Sequence, residues 1–180
     1  IAGGLDSPTS GKVLCNGVDF ATLDDKRRSS LRNLHIGFIF QANLLLEDFT
    51  ALENVMAPAM IAGRTARDSR PRALSLLERL GLGDRTHHLP SQLSGGEKQR
   101  IAICRALMNE PDVIMADEPT GALDEENAQE VERLLLDLVK EDGRSLLLVT
   151  HNNDFAYRCD NVYLLKNHAL SLEKGLGLDV

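Results

Sequence analysis

Asp117 and Glu118 are adjacent carboxylates at the end of a short apolar run, "VIMADEP". Such a run, continuous and bounded by polar residues, reads as a strand buried on both faces. Open α/β sheets bind ligands beyond the carboxyl ends of their strands, so the pair arrives where chemistry is done. There the two acids can divide labour. Asp117, nearer the strand, can hold Mg2+ directly or through water, while Glu118 can orient and deprotonate a water attacking a phosphoryl group. The competing reading is a plain polar strand end before Pro119. In "LSGGEKQR", Ser94 precedes two glycines, Gly95 and Gly96, whose backbone N–H groups can approach an anion closely at the positive end of the helix that follows. Ser94 reads as a helix cap or as a phosphate contact. Gln41 closes "IGFIFQ" with an amide able to touch both Mg2+ and a water, or decorates a surface. His151 follows "LLLVT" and can bond a terminal phosphate oxygen, or is a satisfied, partly buried histidine. Asp124 in "GALD" reads as an N-cap, with or without a second role. His87 and His88 read as solvated loop residues.

These side chains need a frame. "IGFIF" at 36–40, "VIMA" at 113–116 and "LLLVT" at 146–150 have the length and content of buried strands. Between them lie helical patterns, Ala73, Leu74, Leu77 and Leu80 before Gly81, then Val131, Leu134, Leu135, Leu138 and Val139 before Gly143. Strands alternating with helices predict a parallel α/β sheet. "VYLL" at 162–165, the turn Lys166, Asn167, His168 and "ALSL" predict a terminal hairpin. Residues 42–93 contain helix patterns without a convincing strand, which predicts a helical lobe inserted in a sheet domain spanning 1–180.

The 180 residues suffice for one domain with a real core, and a 43% apolar fraction is that of an ordinary soluble protein. A net charge of −7 argues against a general nucleic-acid binder, yet leaves room for a nucleotide, which needs only local donors. The three cysteines, Cys15, Cys104 and Cys159, lack metal-ligand spacing, and their odd number argues against a disulfide framework and for a reducing compartment. No apolar run approaches the roughly 20 residues of a membrane span, so any membrane role must come through a partner.

The order Gln41, Ser94 loop, Asp117 with Glu118, Asp124, His151 resembles the ATP-binding subunit of ABC transporters over nearly the whole chain. "IGFIFQ" is similar to that family's Q-loop strand, "LSGGEKQR" to its signature, "VIMADEP" to its Walker B strand, "GALD" to its D-loop and "THN" to its histidine switch. "IAGGLDSPTSGKV" resembles the segment after the phosphate-loop helix. No G-x-x-x-x-G-K-[ST] string occurs in the chain. The resemblance therefore predicts a P-loop NTPase-like sheet core that lacks its N-terminal strands and phosphate loop, the loop falling about half a dozen residues before Ile1. "LLLEDFTALENV" and "ADEPTGALD" resemble the branch containing lipoprotein-releasing, macrolide-exporting and cell-division ATPases, the "DFTALENV" wording favouring the first. Cys104 departs from the alanine common on that helix.

What the resemblance implies is an ATPase with Mg2+ on Asp117 and Gln41, Glu118 as catalytic base, and His151 and Gln41 assisting. Ser94, Gly95, Gly96 and Glu97, with Asp124, would meet the ATP of a second ATP-binding subunit in a head-to-tail dimer. Gln41 and the helical lobe would pass motion to transmembrane permease subunits at the cytoplasmic face of the inner membrane. An ABC-type DNA-repair ATPase is the first alternative, but such proteins carry very long insertions between the Q-loop and the signature. A non-catalytic interaction fragment is the second.

Overall fold

The computed structural model describes residues 1–175. A small antiparallel hairpin comes first, β1 (Leu14–Cys15) and β2 (Val18–Asp19). Its turn uses Asn16 and Gly17, both with positive φ (49° and 78°), the backbone signs that let a two-residue turn follow strand twist. Helix α1 (Asp25–His35) follows, capped by Asp24, whose carboxylate accepts from the Arg27 N–H at 2.8 Å. No residue of α1 is buried.

The central sheet is parallel, in the order β3 (Ile36–Phe40), β4 (Val113–Asp117), β5 (Ser145–Val149), with Phe40, Asp117 and Val149 in register. Between β3 and β4 the chain builds α2 (Ala51–Ile61), α3 (Ala66–Arg79), two short 3-10 turns and α4 (Gly95–Leu107). Residues 42–93 contain no strand. Thr50 and Glu53 form a reciprocal capping box at the start of α2, and Thr65 caps α3. Helix α5 (Glu125–Glu141) returns the chain to β5. A four-residue helix α6 (Asn153–Ala156) leads to the predicted terminal hairpin, β6 (Val162–Lys166) and β7 (Ala169–Lys174), turned by Asn167 and His168 at positive φ.

Helix α4 is the hub. Its Ile101, Ala102, Ile103 and Cys104 are fully buried, so the helix is covered on all sides. Leu77 from α3, Val55 from α2, Ile39 and Ile114 from the sheet and Leu135 from α5 share one continuous apolar cluster with it. Gly37 explains how close β3 comes to this helix, since a Cβ there would lie 2.5 Å from the Ala106 carbonyl oxygen. Cys104 packs in this core, where burial pushes its thiol pKa far up and leaves it inert. Cys15, Cys104 and Cys159 are not joined in disulfides.

Candidate functional site

The in-register ends of β3, β4 and β5 bring Gln41, Asp117, Glu118 and His151 to one edge. Asp117 is the last residue of β4 and is exposed. Glu118 turns the chain with φ of 44°, a left-handed conformation that costs an L-residue about 1 kcal/mol or more. Its N–H donates to the Val149 carbonyl at 2.8 Å, which fixes the turn against β5. The carboxylate is then held from the β5 side. The His151 N–H donates to Oε1 at 2.8 Å, His151 Nδ1 lies 2.9 Å from the same oxygen, and Thr150 Oγ1 donates to Oε2 at 3.2 Å. The imidazole itself is 81% exposed and the Glu118 side chain 22%, so the ring can swing outward while the acid stays anchored by the backbone. Gln41 lies over the following turn, its Nε2 only 3.0 Å from where a Cβ on Gly121 would stand.

Two side chains of α4 set the Gln41 segment. Gln99, buried, donates to the Phe40 carbonyl at 3.1 Å, and the Arg105 guanidinium donates to the carbonyls of Asn43 and Leu44, each at 2.7 Å. In the sequence, Gln99 is legible only as part of "LSGGEKQR", and Arg105, further along the same helix, carries no signal of this role.

Ser94, Gly95, Gly96, Glu97 and Asp124 gather elsewhere. Ser94 caps α4 in a capping box: its Oγ accepts from the Glu97 N–H at 3.2 Å, and Glu97 Oε2 accepts from the Ser94 N–H at 2.8 Å. Arg85 donates to Glu97 Oε1 at 2.8 Å. The Ser94 N–H first and Arg85 second hold the Glu97 carboxyl below its usual range. The N–H groups of Gly95 and Gly96 fall in the first turn, where a helix offers them no acceptor of its own. Ser94 and Gly95 are exposed, whereas Gly96 is buried against Asn127, so the open side of this helix start is at Ser94 and Gly95. Asp124 caps α5, accepting from the Asn127 N–H at 3.1 Å and from Asn127 Nδ2 at 2.7 Å, contacts that lower its pKa. Asn127 in turn touches Gly96, where a Cβ would meet its Oδ1 at 2.5 Å.

Among the described residues, no hydrogen bond or ion pair joins this second cluster to the first. One cluster offers carboxylates and a histidine; the other offers N–H groups at a helix start. Asp117 and Gln41 together supply one carboxylate and one amide oxygen, a donor set that suits Mg2+ as carried by a phosphorylated ligand, since that ion keeps waters and takes few protein ligands. Among the described residues, no group of three or more His, Cys, Asp and Glu could hold a metal ion.

A separated carboxylate edge and anion-receiving helix start on a parallel sheet are the parts of a nucleotide-hydrolysing cassette. Residues 1–121 match the ABC transporter family. The chain belongs to that family, and its chemistry is that of an ATPase cassette. It is 51% identical to the lipoprotein-releasing system ATP-binding protein LolD of Syntrophus aciditrophicus, over 88% of this chain and 71% of that protein. It is 46% identical to the protein of the same name from Legionella pneumophila strain Paris, over 94% of this chain and 75% of that one. Among solved structures it resembles the dimeric post-hydrolysis state of the ATP-binding cassette MJ0796 bound to ADP and Pi, with a TM-score of 0.86 and 38% identity over 98% of this chain and 78% of that chain.

Proposed function

We propose that the chain is the ATP-hydrolysing subunit of a membrane complex that releases lipoproteins, and that it works as one half of a head-to-tail pair. The observation that carries the catalytic part is the Glu118 carboxylate, held by the Thr150 hydroxyl and His151 N–H beside exposed Asp117. Glu118 positions a water and takes its proton as the water attacks the terminal phosphoryl group. His151 swings from Glu118 to an oxygen of that group. Asp117 and Gln41 are the residues that would hold Mg2+, which would supply neutralisation of phosphate charge. The phosphate loop such a site needs is not among these 180 residues.

The exposed helix start at Ser94 and Gly95, with Gly96, Glu97 and Asp124 around it, closes over nucleotide bound to the partner subunit, so each complete site takes one cluster from each chain. Residues 42–93 form the lobe that meets the permease. No helix among the described residues is long and apolar enough to cross a membrane, which suits a subunit held at the cytoplasmic face by that permease. The naming of relatives at 51% and 46% identity supports lipoproteins as the cargo over macrolides or a cell-division role.

Reconstitution of the full-length protein with its permease in vesicles carrying an acylated protein tests both parts. ATP should drive release of the acylated protein. Glu118→Gln should keep ATP binding while slowing hydrolysis and release together by about 100-fold or more, as for a lost general base. Hydrolysis without release would reject the cargo, and wild-type turnover in the variant would reject Glu118 as the base.

A further inference from the structure

Glu132 is the one buried charged residue among the described residues, 5% exposed in the middle of α5. A buried carboxylate is costly unless its oxygens are satisfied, and here burial pushes the Glu132 carboxyl above its usual pKa range despite a nearby arginine. Three donors from three segments converge on it. Asn152 Nδ2 donates to Oε1 at 3.1 Å, Arg158 Nη1 to Oε2 at 3.4 Å, and Thr120 Oγ1 stands at 3.5 Å, the long limit of such a bond. Asp154 adds a like charge nearby.

Two of these donors belong to the turns that make the catalytic edge. Thr120 lies two residues beyond Glu118, in the turn where the Gly121 N–H donates to the Glu118 carbonyl at 3.1 Å. Asn152 follows His151, and its N–H donates to Thr150 Oγ1 at 3.1 Å while that hydroxyl donates to Glu118 Oε2. A closed ring results, running from Glu132 through Asn152 and Thr150 to Glu118 and back through Thr120. Rings of this kind hold geometry better than their separate bonds.

We propose that Glu132 is a positioning residue for hydrolysis: by anchoring Asn152 it holds the Thr150–His151 turn against the Glu118 carboxylate, and so ties the turn after β5 to the turn after β4 through α5. The inference rests on Glu118 being the base. It also gives α5 two tasks, because the first turn of that helix carries Asn127 against Gly96 and its Glu130 pairs with Arg100 of α4 at 2.7 Å. The helix start that would meet the partner's nucleotide and the turn that orients this chain's own base are thereby fixed to one rigid element.

The Glu132–Asn152 contact is one acceptor facing one donor, so it can be broken and then transposed. In the full-length protein, Asn152→Asp keeps the Oδ1 atom that caps α6 by accepting the Phe155 N–H at 3.2 Å, but faces Glu132 with a second carboxylate. ATP turnover should fall about tenfold with little change in KM for ATP, because orientation and not binding is lost. Glu132→Gln alone should stay within about twofold of wild type, since its amide oxygen still accepts from Asn152. The double variant E132Q/N152D restores a donor–acceptor pair and should recover most of the lost turnover. A purely structural contact would lower Tm in N152D and leave kcat per folded molecule unchanged, and that result overturns the proposal. So does a loss in kcat matched by a rise in KM, or an absence of recovery in a folded double variant. If N152D does not fold, E132L decides on the same criteria: a fall in kcat supports the role, and unchanged kcat refutes it. Glu118→Gln run alongside separates the two claims. Normal turnover there would reject the base, whereas lost turnover there beside normal turnover in N152D would reject Glu132 alone.

Discussion

Glu118 and Glu132 are acids in the same ring with opposite requirements. The first sits at a strained turn with its carboxylate partly open, as the proposed base requires. The second is sealed, and its charge is a burden to the fold. Because the folded-state pKa of Glu132 lies above its unfolded value, the folded chain binds that proton more tightly. The resulting stability is present at low pH and is lost as pH rises through the folded pKa, above the ordinary 4.5. Glu132→Gln keeps the shape and the acceptor without the charge. It should equal or exceed wild type in stability at pH 7.5, with the difference shrinking as pH falls toward 5. Urea unfolding at the two pH values reads this from the midpoints, and a variant clearly less stable at pH 7.5 would mean that Arg158 outweighs the cost of burial. Glu132 was not legible in the sequence. Beside Val131 and ahead of Leu135 it looks like the polar border of an amphipathic helix, and only the packing of Thr120, Asn152 and Arg158 around it makes it a core residue. Glu118, by contrast, was legible because a buried strand must deliver whatever follows it to the sheet edge.

The same difference holds for elements. Strands β3, β4 and β5 announced themselves as short apolar runs, helices α3 and α5 as apolar stripes ending in Gly81 and Gly143, and the terminal hairpin as two runs around a polar turn. Strand β5, however, is not buried on both faces, since it ends the described sheet and leaves Ser145, Leu147 and Val149 exposed. Helix α1 gave no stripe because it buries no residue, and it stands on its Asp24 cap and on contacts such as Arg32 Nη1 donating to the Gly4 carbonyl at 2.7 Å. The β1–β2 hairpin has strands of only two residues, too short for a period, though Asn16-Gly17 carried its turn chemistry. Where α4 meets α5, a sequence of glycines says little until the neighbour is known. Alanine in place of Gly96 would gain about 1 kcal/mol of helix propensity. Against that, its Cβ would meet Asn127 Oδ1 at 2.5 Å, on a side chain already pinned by Asp124, and overpacking of that kind costs about 1–3 kcal/mol. The clash should win. Gly96→Ala should lower the urea midpoint, and adding Asn127→Ala should restore it; a stable single variant would show that Asn127 moves aside freely.

At the scale of the whole molecule, no hydrogen bond or ion pair among the described residues joins the two clusters, and the proposed function makes each of them half of a site. The Asp117–Glu118 edge has no anion cradle of its own among the described residues, and the Ser94 helix start has donors with no catalytic acid. In the proposed head-to-tail pair, each chain would bring the other the cluster it needs beside the phosphate loop. That claim can be tested with two variants of the full-length protein, each inactive by itself. Ser94→Arg places a bulky cation where phosphate must approach the Gly95 and Gly96 N–H groups, leaving Glu118 intact. Glu118→Gln removes the base, leaving the Ser94 helix start intact. Mixed, they can assemble one complete site per heterodimer, from the Asp117 and Glu118 of the first and the Ser94, Gly95 and Gly96 of the second. ATPase activity should return on mixing and depend on both concentrations. If the helix start served nucleotide on its own chain, neither variant could repair the other. No recovery in a mixture shown by sedimentation to contain folded heterodimers would contradict the composite site.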